Sequence, residues 1–399
     1  MDILYRIYNI LRAIINYTLT ISYVIFIPVK ENKYFCMSML GNNFGDSVKC
    51  LADYISKIEC DAIIVWGFTD SYYAIGCPYK KVRLYSLKYY YHILTSKYII
   101  VNQGINHKTL IKRKGQVIVQ TWHGTALKKI GSDIKKKEEE KHLIDKWFRP
   151  NAEAYYVGIT DIWISGSRFM SKIYKEKFLF QKPIYEVGTP RNDIFFSNNN
   201  DIVKKVKSIL GISGDEKIVF YAPTFRADGK LTYYDIDSCV FLRSVERELG
   251  GKYRFMIRLH PLLLKANKEF SKIFPEDTIN ASYYPDMQEL LCASDILITD
   301  YSSSIFDFMY SYKPIFLYLP DMDAYSNSRG FYFDIETLPF IKINNNKEIG
   351  IAIGNFDEIH YKENITKFIE QIGSVESGHA TELTYDLIKG QNNQCNYYC

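Results

Sequence analysis

The eight cysteines form no disulfide framework. Cys36, Cys50, Cys60, Cys77, Cys239 and Cys292 are scattered, Cys395 and Cys399 sit in an Asn- and Gln-rich tail, and no C-x2-C pair or histidine at ligand spacing accompanies them. Buried thiols in a reducing compartment are therefore expected, and a zinc or redox centre is not. Charge of one sign is also scarce: 50 Lys and Arg against 45 Asp and Glu leave +5. That excess is too small for a nucleic-acid coat but suits an anionic substrate or a membrane surface. No repeat of solenoid period is visible. Extensive disorder is excluded by a hydrophobic fraction of 47% and a charged fraction of 24%, both near the globular average.

Long apolar runs are missing except at the start. Ile3–Ile27 carries only Arg6 and Arg12, and its charge-free part, Ala13–Val29, is interrupted by Asn16, Thr18, Thr20, Ser22 and Pro28. It falls a little short of the roughly 20 apolar residues of a spanning helix. Arg6, Asn9, Arg12, Asn16 and Thr20 recur every three or four positions, which gathers them into one stripe of a helix. The spacing fits a helix lying in a membrane interface. A span, a signal peptide (although no small-residue cleavage pattern precedes Pro28) and an ordinary core helix are the alternatives.

What is present is length and alternation. One core stops growing at roughly 250–300 residues, so 399 residues predict two domains. Aromatic residues reach 16%, with 34 Tyr and 24 Phe, and must build core and surface alike. Strands are predicted at Tyr34–Met39, Ala62–Trp66, Tyr98–Asn102, Gln116–Gln120, Ile162–Ser165 and Ile184–Val187, with helices at Asp46–Ile58 and Ser86–Leu94. Lys135–Lys141 reads as a solvated helical face. After the polar run Ser197–Asp201 a second set follows, with strands Lys217–Tyr221, Arg254–Leu259, Ile296–Thr299 and Pro314–Leu317 and helices Val240–Leu249 and Ser304–Tyr312. Short apolar strands alternating with helices indicate two Rossmann-like, doubly wound parallel-sheet α/β domains. The division expected is 1–30 interfacial membrane helix, 31–200 first domain, 201–375 second domain and 376–399 polar tail, with ligands bound in a cleft beyond the strand ends.

The unusual residues sit just after predicted strands. In the loop Thr121–Thr125, His123 suits removal of a proton from a hydroxyl, Gly124 permits close approach of a ligand, and Thr121, Thr125 and Lys128 stand beside it. The plainer alternative is a loop histidine bonded to a neighbouring carbonyl. Arg258 and His260 flank Leu259 at strand spacing and emerge on one face before Pro261, a pair suited to a phosphate, unless His260 only caps the strand. Thr299, Asp300, Ser302, Ser303 and Ser304 form a hydroxyl-rich turn into a helix, an anion site by its free N–H groups, or else a simple serine cap. Asp307, one turn on, is placed to accept bonds from ribose hydroxyls. Thr224 and Arg226 follow the first strand of the second domain, where Arg226 is suited to clamp a phosphate. Arg191, Asn192 and Asp193 end the first domain, and Arg329 adds a late cation. Together these describe a diphosphate site. Asp300, Asp321 and Asp323 are candidates to hold Mg²⁺, although no metal-ligand pattern stands out.

The motifs QTWHGTALKKIG, YAPTFRADG, RLHP, SDILITDYSSSIFDF, KPIFLYLPD and SRGFYFD, in that order, together with the upstream run RLYSLKYYYHILTSKYIIVNQG, resemble the CDP-glycerol glycerophosphotransferase family over residues 30 to 340. Members make teichoic acids and phosphate-linked capsular polymers. The resemblance implies a GT-B-type arrangement, a first domain for a lipid-linked or polymeric acceptor, a second for CDP-glycerol, and peripheral attachment to the cytoplasmic face of the membrane. It implies His123 as catalytic base, His260 as a second essential histidine, and Arg226, Arg258, Ser302, Ser303 and Asp307 as lining the donor site. The sequence departs from the family at Ala126, where proline is usual, and in GNNFGDSVK (41–49), where the usual pattern ends Asn-Pro-Lys. The expected reaction is attack of an acceptor hydroxyl, activated by His123, on the β-phosphorus of CDP-glycerol with loss of CMP. Rival readings are a CDP-ribitol transferase, a glycosyltransferase and a non-catalytic polymer-binding membrane module.

Overall fold

The computed structural model describes residues 11, 14–22, 24–105, 112–134, 152–226, 231–259, 274–322, 330–390 and 397–398. Arg6, Asn9, Arg12, the run Lys135–Lys141, His260, Pro261, Asp323 and Arg329 lie outside the described residues. Two compact units divide the chain: Met1–His123, Lys135–Asp193 and Val375–Cys399 form the first, and Gly124–Ile134 with Ile194–Ser374 the second.

The first unit is built on β1 (Lys30–Met37), β2 (Ile63–Phe68), β3 (Lys80–Arg83), β4 (Ser96–Val101), β5 (Val117–Gln120), β6 (Ile162–Ser165) and β7 (Ile184–Glu186), in the order β7-β6-β5-β4-β1-β2-β3. Every one of these pairings is parallel. Strand β1 explains why: Tyr34 and Cys36 enter one core and Phe35 and Met37 another, all buried. A strand apolar on both faces needs helices on both sides, which only parallel crossovers supply. The second unit holds β8 (Lys217–Tyr221), β9 (Tyr253–Ile257), β10 (Ile279–Asn280), β11 (Ile296–Thr299), β12 (Ile315–Tyr318) and β13 (Ile341–Ile343), in the order β10-β9-β8-β11-β12-β13, again all parallel. Chain direction along each sheet reverses once, between β1 and β4 and between β8 and β11. Such switch points are where open α/β sheets bind ligands, beyond the carboxyl ends of the strands.

Two expectations need correction. Residues 376–399 are not merely a polar tail: Ala380–Lys389 is a helix whose Tyr385 and Ile388 enter the first unit's core, and β14 (Tyr397–Tyr398) pairs antiparallel with β7. Its cap is remote in sequence, because Asp193 accepts from the backbone N–H groups of Ala380 (2.9 Å) and Thr381 (2.8 Å). Lys389 adds an ion pair with Glu59 at 2.9 Å. The second correction concerns the helix expected over Ser304–Tyr312. It is α-helical only over Ser304–Phe308 and tightens to a 3-10 turn at Met309–Ser311.

Residues 14–22 are helical. Asn16 donates to the Tyr85 carbonyl (2.9 Å), Tyr17 meets the edge of the Tyr90 ring, and Thr20 and Val24 are buried. The polar residues Asn16 and Thr20 thus turn toward the domain. Leu11, Ile15 and Leu19, four apart, are 53%, 56% and 57% exposed, and Ile25 and Phe26 follow at 64% and 88%. No helix among the described residues is long and apolar enough to cross a membrane.

Candidate functional site

In the first unit the loop after β5 is fixed from three sides. Thr121 N–H donates to the Val101 carbonyl (2.9 Å), and the Trp122 N–H donates to Gln120 Oε1 (2.9 Å). Trp122 adopts a left-handed backbone, φ 55°, which a bulky residue tolerates only when its surroundings hold it. Here its ring packs on Trp163, Tyr174 and Phe178. Thr121 is buried, with its hydroxyl within reach of backbone carbonyls only, so its position makes it scaffold rather than a ligand contact.

His123 follows, its ring 4.3 Å from that of Trp122. Nδ1 lies 2.9 Å from the Asn102 carbonyl. A carbonyl only accepts, so Nδ1 carries the proton and Nε2 presents its lone pair. The plainer expectation, a loop histidine bonded to a neighbouring carbonyl, describes the observed geometry, and that bond leaves Nε2 as the unprotonated nitrogen. Burial pushes the pKa down from its ordinary value, the Asn102 carbonyl and Asp46 pull it up, and Arg191 presses it down. The net lowering keeps the imidazole neutral at pH 7.

The segment Arg191–Asp193 is occupied within the protein. Arg191 is buried and Nη1 pairs with Asp46 Oδ2 at 2.9 Å. Asn192 Nδ2 donates to Glu376 Oε1 (3.1 Å), and Asp193 caps the C-terminal helix as described. Glu376 Oε2 also accepts from Thr189 N–H (2.9 Å), and a Cβ added at Gly166 would collide with this carboxyl. Burial drives the Glu376 pKa up to about 7 against these donors. A carboxyl with a raised folded pKa binds more protons folded than unfolded, so its contribution falls as pH rises from the ordinary carboxylate range to about 7. The substitution Glu376→Gln keeps the shape and will flatten that slope, which thermal unfolding across pH 4.5 to 8 measures.

In the second unit three strand ends meet. Thr224, after β8, donates to Asp300 from its N–H (2.9 Å) and its hydroxyl (3.0 Å). Arg226 is 5% exposed and pairs through Nη1 with Asp300 (2.9 Å) and through Nε with Asp321 (2.7 Å), with Nη2 3.1 Å from the second Asp321 oxygen. Its guanidinium also lies 5.0 Å from the centre of the Tyr301 ring. Burial opposes the Arg226 charge, but the two carboxylates outweigh it and hold the group charged. Burial also pushes Asp300 up, against the pull of Arg226, the Thr224 N–H and Lys128. Arg226 is thus the centre of a buried ion triad and not a free phosphate clamp. Asp300 and Asp321 are not an open Mg²⁺ pair either, since Arg226 engages both and Thr224 donates to Asp300. Among the described residues no group of three His, Cys, Asp or Glu has metal-holding geometry.

The remaining candidates divide in the same way. The Thr299 hydroxyl is buried and donates to the Ala222 carbonyl (2.6 Å), and Asp307 is buried within 3.3 Å of Gln288 Nε2. Ser304 donates its hydroxyl to Ser302 Oγ (2.9 Å), and Ser303 makes no side-chain cap bond. Ser302 and Ser303 are partly exposed beyond β11, and Arg258 stands partly exposed just past the end of β9. Gly124 (φ 130°), Thr125 and Lys128 belong to the second unit, where Lys129 N–H donates to the Gly330 carbonyl (2.9 Å) and Lys128 bridges to Phe331. Asp46, Asn102 and Glu376 in the first unit and Tyr301 in the second hold these side chains, and of the four only Glu376 lies outside the sequence segments quoted above.

Residues 19–390 match the family model described as CDP-Glycerol:Poly(glycerophosphate) glycerophosphotransferase. The teichoic acid poly(glycerol phosphate) polymerase of Bacillus spizizenii is 30% identical over 413 residues, covering 98% of each chain. The teichoic acid glycerol-phosphate transferase of Staphylococcus aureus is 30% identical over 395 residues, 94% of this chain and 97% of that one. The chain spans about half the length (51% and 49%) of the polymerases of Staphylococcus epidermidis and Bacillus subtilis. Among solved structures, a histidine-to-asparagine variant of the wall teichoic acid polymerase TagF with CDPG superposes with a TM-score of 0.79 at 28% identity, covering 97% of this chain and 98% of that one.

Proposed function

Because the chain belongs to the CDP-glycerol:poly(glycerophosphate) glycerophosphotransferase family, we propose that it transfers glycerol phosphate from CDP-glycerol to a hydroxyl of a polymeric or lipid-linked acceptor in teichoic acid synthesis. The carrying observation is the orientation of His123: with Nδ1–H bonded to a backbone carbonyl, Nε2 is the base. The acceptor hydroxyl gives its proton to Nε2, its oxygen bonds to the β-phosphorus, and the bond to the CMP oxygen breaks. In the GT-B-type reading the first unit serves the acceptor and the second the CDP-activated donor. Phosphoryl transfer rests mostly on positioning and charge neutralisation. Arg258, Ser302 and Ser303, partly exposed at strand ends, supply donors to the diphosphate, while Arg226 and Asp300 hold that loop set in place. Nucleotide release on a panel of polymeric and lipid-linked acceptors, read as CMP from CDP-glycerol or CDP-ribitol and as UDP from UDP-sugars, tests the reading. Nucleotide released only from another donor, or from none, overturns it.

The protein is further proposed to sit on the cytoplasmic face of the cell membrane as a peripheral protein. Support comes from the exposed apolar residues Leu11, Ile15 and Leu19 on the helix and Ile25 and Phe26 in the turn after it, while Asn16 and Thr20 turn toward the domain. Burying a Leu or Phe side chain is worth about 1.5–3 kcal/mol. Combining Leu19→Ser with Phe26→Ser will therefore cut co-sedimentation with anionic vesicles by at least about ten-fold. Thermal unfolding will stay unchanged, because both side chains are exposed.

A further inference from the structure

We propose that Asn102 is a positioning residue whose side chain, clamped by the loop after β1, holds its own carbonyl against His123 and so selects the tautomer that makes Nε2 the base. This deepens the reading of His123 given above and rests on it. Asn102 follows the last residue of β4 and is fully buried. Its Oδ1 accepts from the Met39 N–H at 2.8 Å, and its Nδ2 donates to Ser38 Oγ at 3.1 Å. Both partners lie where β1 ends, on the other side of the switch point. There the backbone turns through three left-handed residues, Met39 (φ 47°), Leu40 (φ 53°) and Gly41 (φ 85°). Two of them are not glycine, so the bend needs outside support, and Asn102 Oδ1 supplies it on the first. The amide is thereby pinned at both ends, and its main-chain carbonyl, one residue past β4, is aimed at Nδ1 of His123 at 2.9 Å.

An alanine at 102 retains a carbonyl but loses both side-chain anchors, so the peptide past Val101, itself held by the Thr121 N–H, can turn its oxygen away from the imidazole. Outer bonds that orient metal-ligating histidines matter by about 10–100-fold, and a reacting group misplaced by ~1 Å can lose about 10²-fold, which sets the scale for a base oriented in the same way. Ring orientation sets the rate, whereas CDP-glycerol is held by other residues, so kcat and KM should separate.

The test uses the full chain with CDP-glycerol and an acceptor that supports CMP release, together with ¹⁵N chemical shifts of the His123 ring. The wild type should show the Nδ1–H tautomer. Asn102→Ala should show a mixture with the Nε2–H form, with kcat about 10–100-fold lower and KM for CDP-glycerol within about two-fold. If Asn102→Ala does not fold, Ser38→Ala decides, since it keeps the Met39 N–H bond to Oδ1 and removes the oxygen to which Nδ2 donates. A mixed tautomer with lowered kcat in that variant supports the proposal. A folded variant with a single Nδ1–H tautomer and wild-type kcat overturns it. Wild-type protein that releases no CMP from any donor would remove the enzymatic reading, yet the ring shifts would still settle the role of Asn102.

Discussion

Replacing His123 with alanine will lower the rate of CMP release by about 10²–10⁴-fold, the usual contribution of a positioned general base. On the proposed mechanism KM for CDP-glycerol will change little, because there the imidazole acts on the acceptor hydroxyl and not on the donor. The loop itself should survive: its anchors are Thr121 on the Val101 carbonyl and Trp122 among Trp163, Tyr174 and Phe178, none of which involves the imidazole. A loss of activity without a shift in thermal unfolding therefore separates chemistry from stability. The pH profile adds a second check. A base works in its neutral form, and burial lowers the His123 pKa below its ordinary value of 6.5. The acid limb of kcat will accordingly lie below that of an unperturbed imidazole. Asp46→Asn removes a neighbour that raises the pKa and will move the limb lower still, while Arg191, freed from its partner, acts in the same direction. An unchanged limb in Asp46→Asn, or full turnover in His123→Ala, would remove the histidine from the mechanism.

How far the sequence already announces this site can be seen residue by residue. The apolar runs are short and blunt-ended, so β1, β4, β5, β8, β9 and β11 are readable to within a few residues, and the chemistry follows their carboxyl ends because that is where loops leave the sheet. The edge strands are harder: β3 (Lys80–Arg83) has one buried residue, Val82, among charged ones, the composition that protects an edge from pairing. What local pattern cannot give is partnership. Arg226 reads as a lone cation beside a strand, yet its carboxylates come from Asp300 and from Asp321, the latter 95 residues away. Arg191 looks equally available, but Asp46 lies 145 residues upstream and takes it. Asn102 is invisible for the same reason, since its anchors are 63 and 64 residues earlier. The C-terminal helix is misread because its cap, Asp193, is 187 residues before it. The Ser304 helix shows the opposite error, a local signal stronger than the structure it produces. Its apolar run continues to Tyr310, but the Tyr312 backbone is left-handed (φ 55°) and the last turn closes as a 3-10.

The triad around Arg226 carries the largest expected effect on stability, and it discriminates between two roles. As a phosphate clamp, Arg226 replaced by methionine would weaken CDP-glycerol binding and leave the fold alone. As the centre of a buried triad, the same change strands Asp300 and Asp321 in the interior without their counter-ion. Breaking a buried pair in this way costs about 3–5 kcal/mol, because the remaining charge is neither solvated nor paired. For a unit of this size that corresponds to a lowering of Tm by roughly 10 °C. The pH dependence follows from sign. Burial already pushes Asp300 up, and Arg226 is the strongest influence pulling it down. Without it the carboxyl rises further, so the folded variant holds a proton that the unfolded chain releases, and stability falls as pH increases through that raised pKa. Arg226→Met will therefore be more stable at pH 5 than at pH 8 relative to the wild type. Adding Asp321→Asn removes one stranded charge and should recover part of the loss, a coupling that a double-mutant cycle reads directly. A variant with wild-type Tm and a raised KM alone would return Arg226 to the donor's phosphates and leave Asp300 to be explained by another partner.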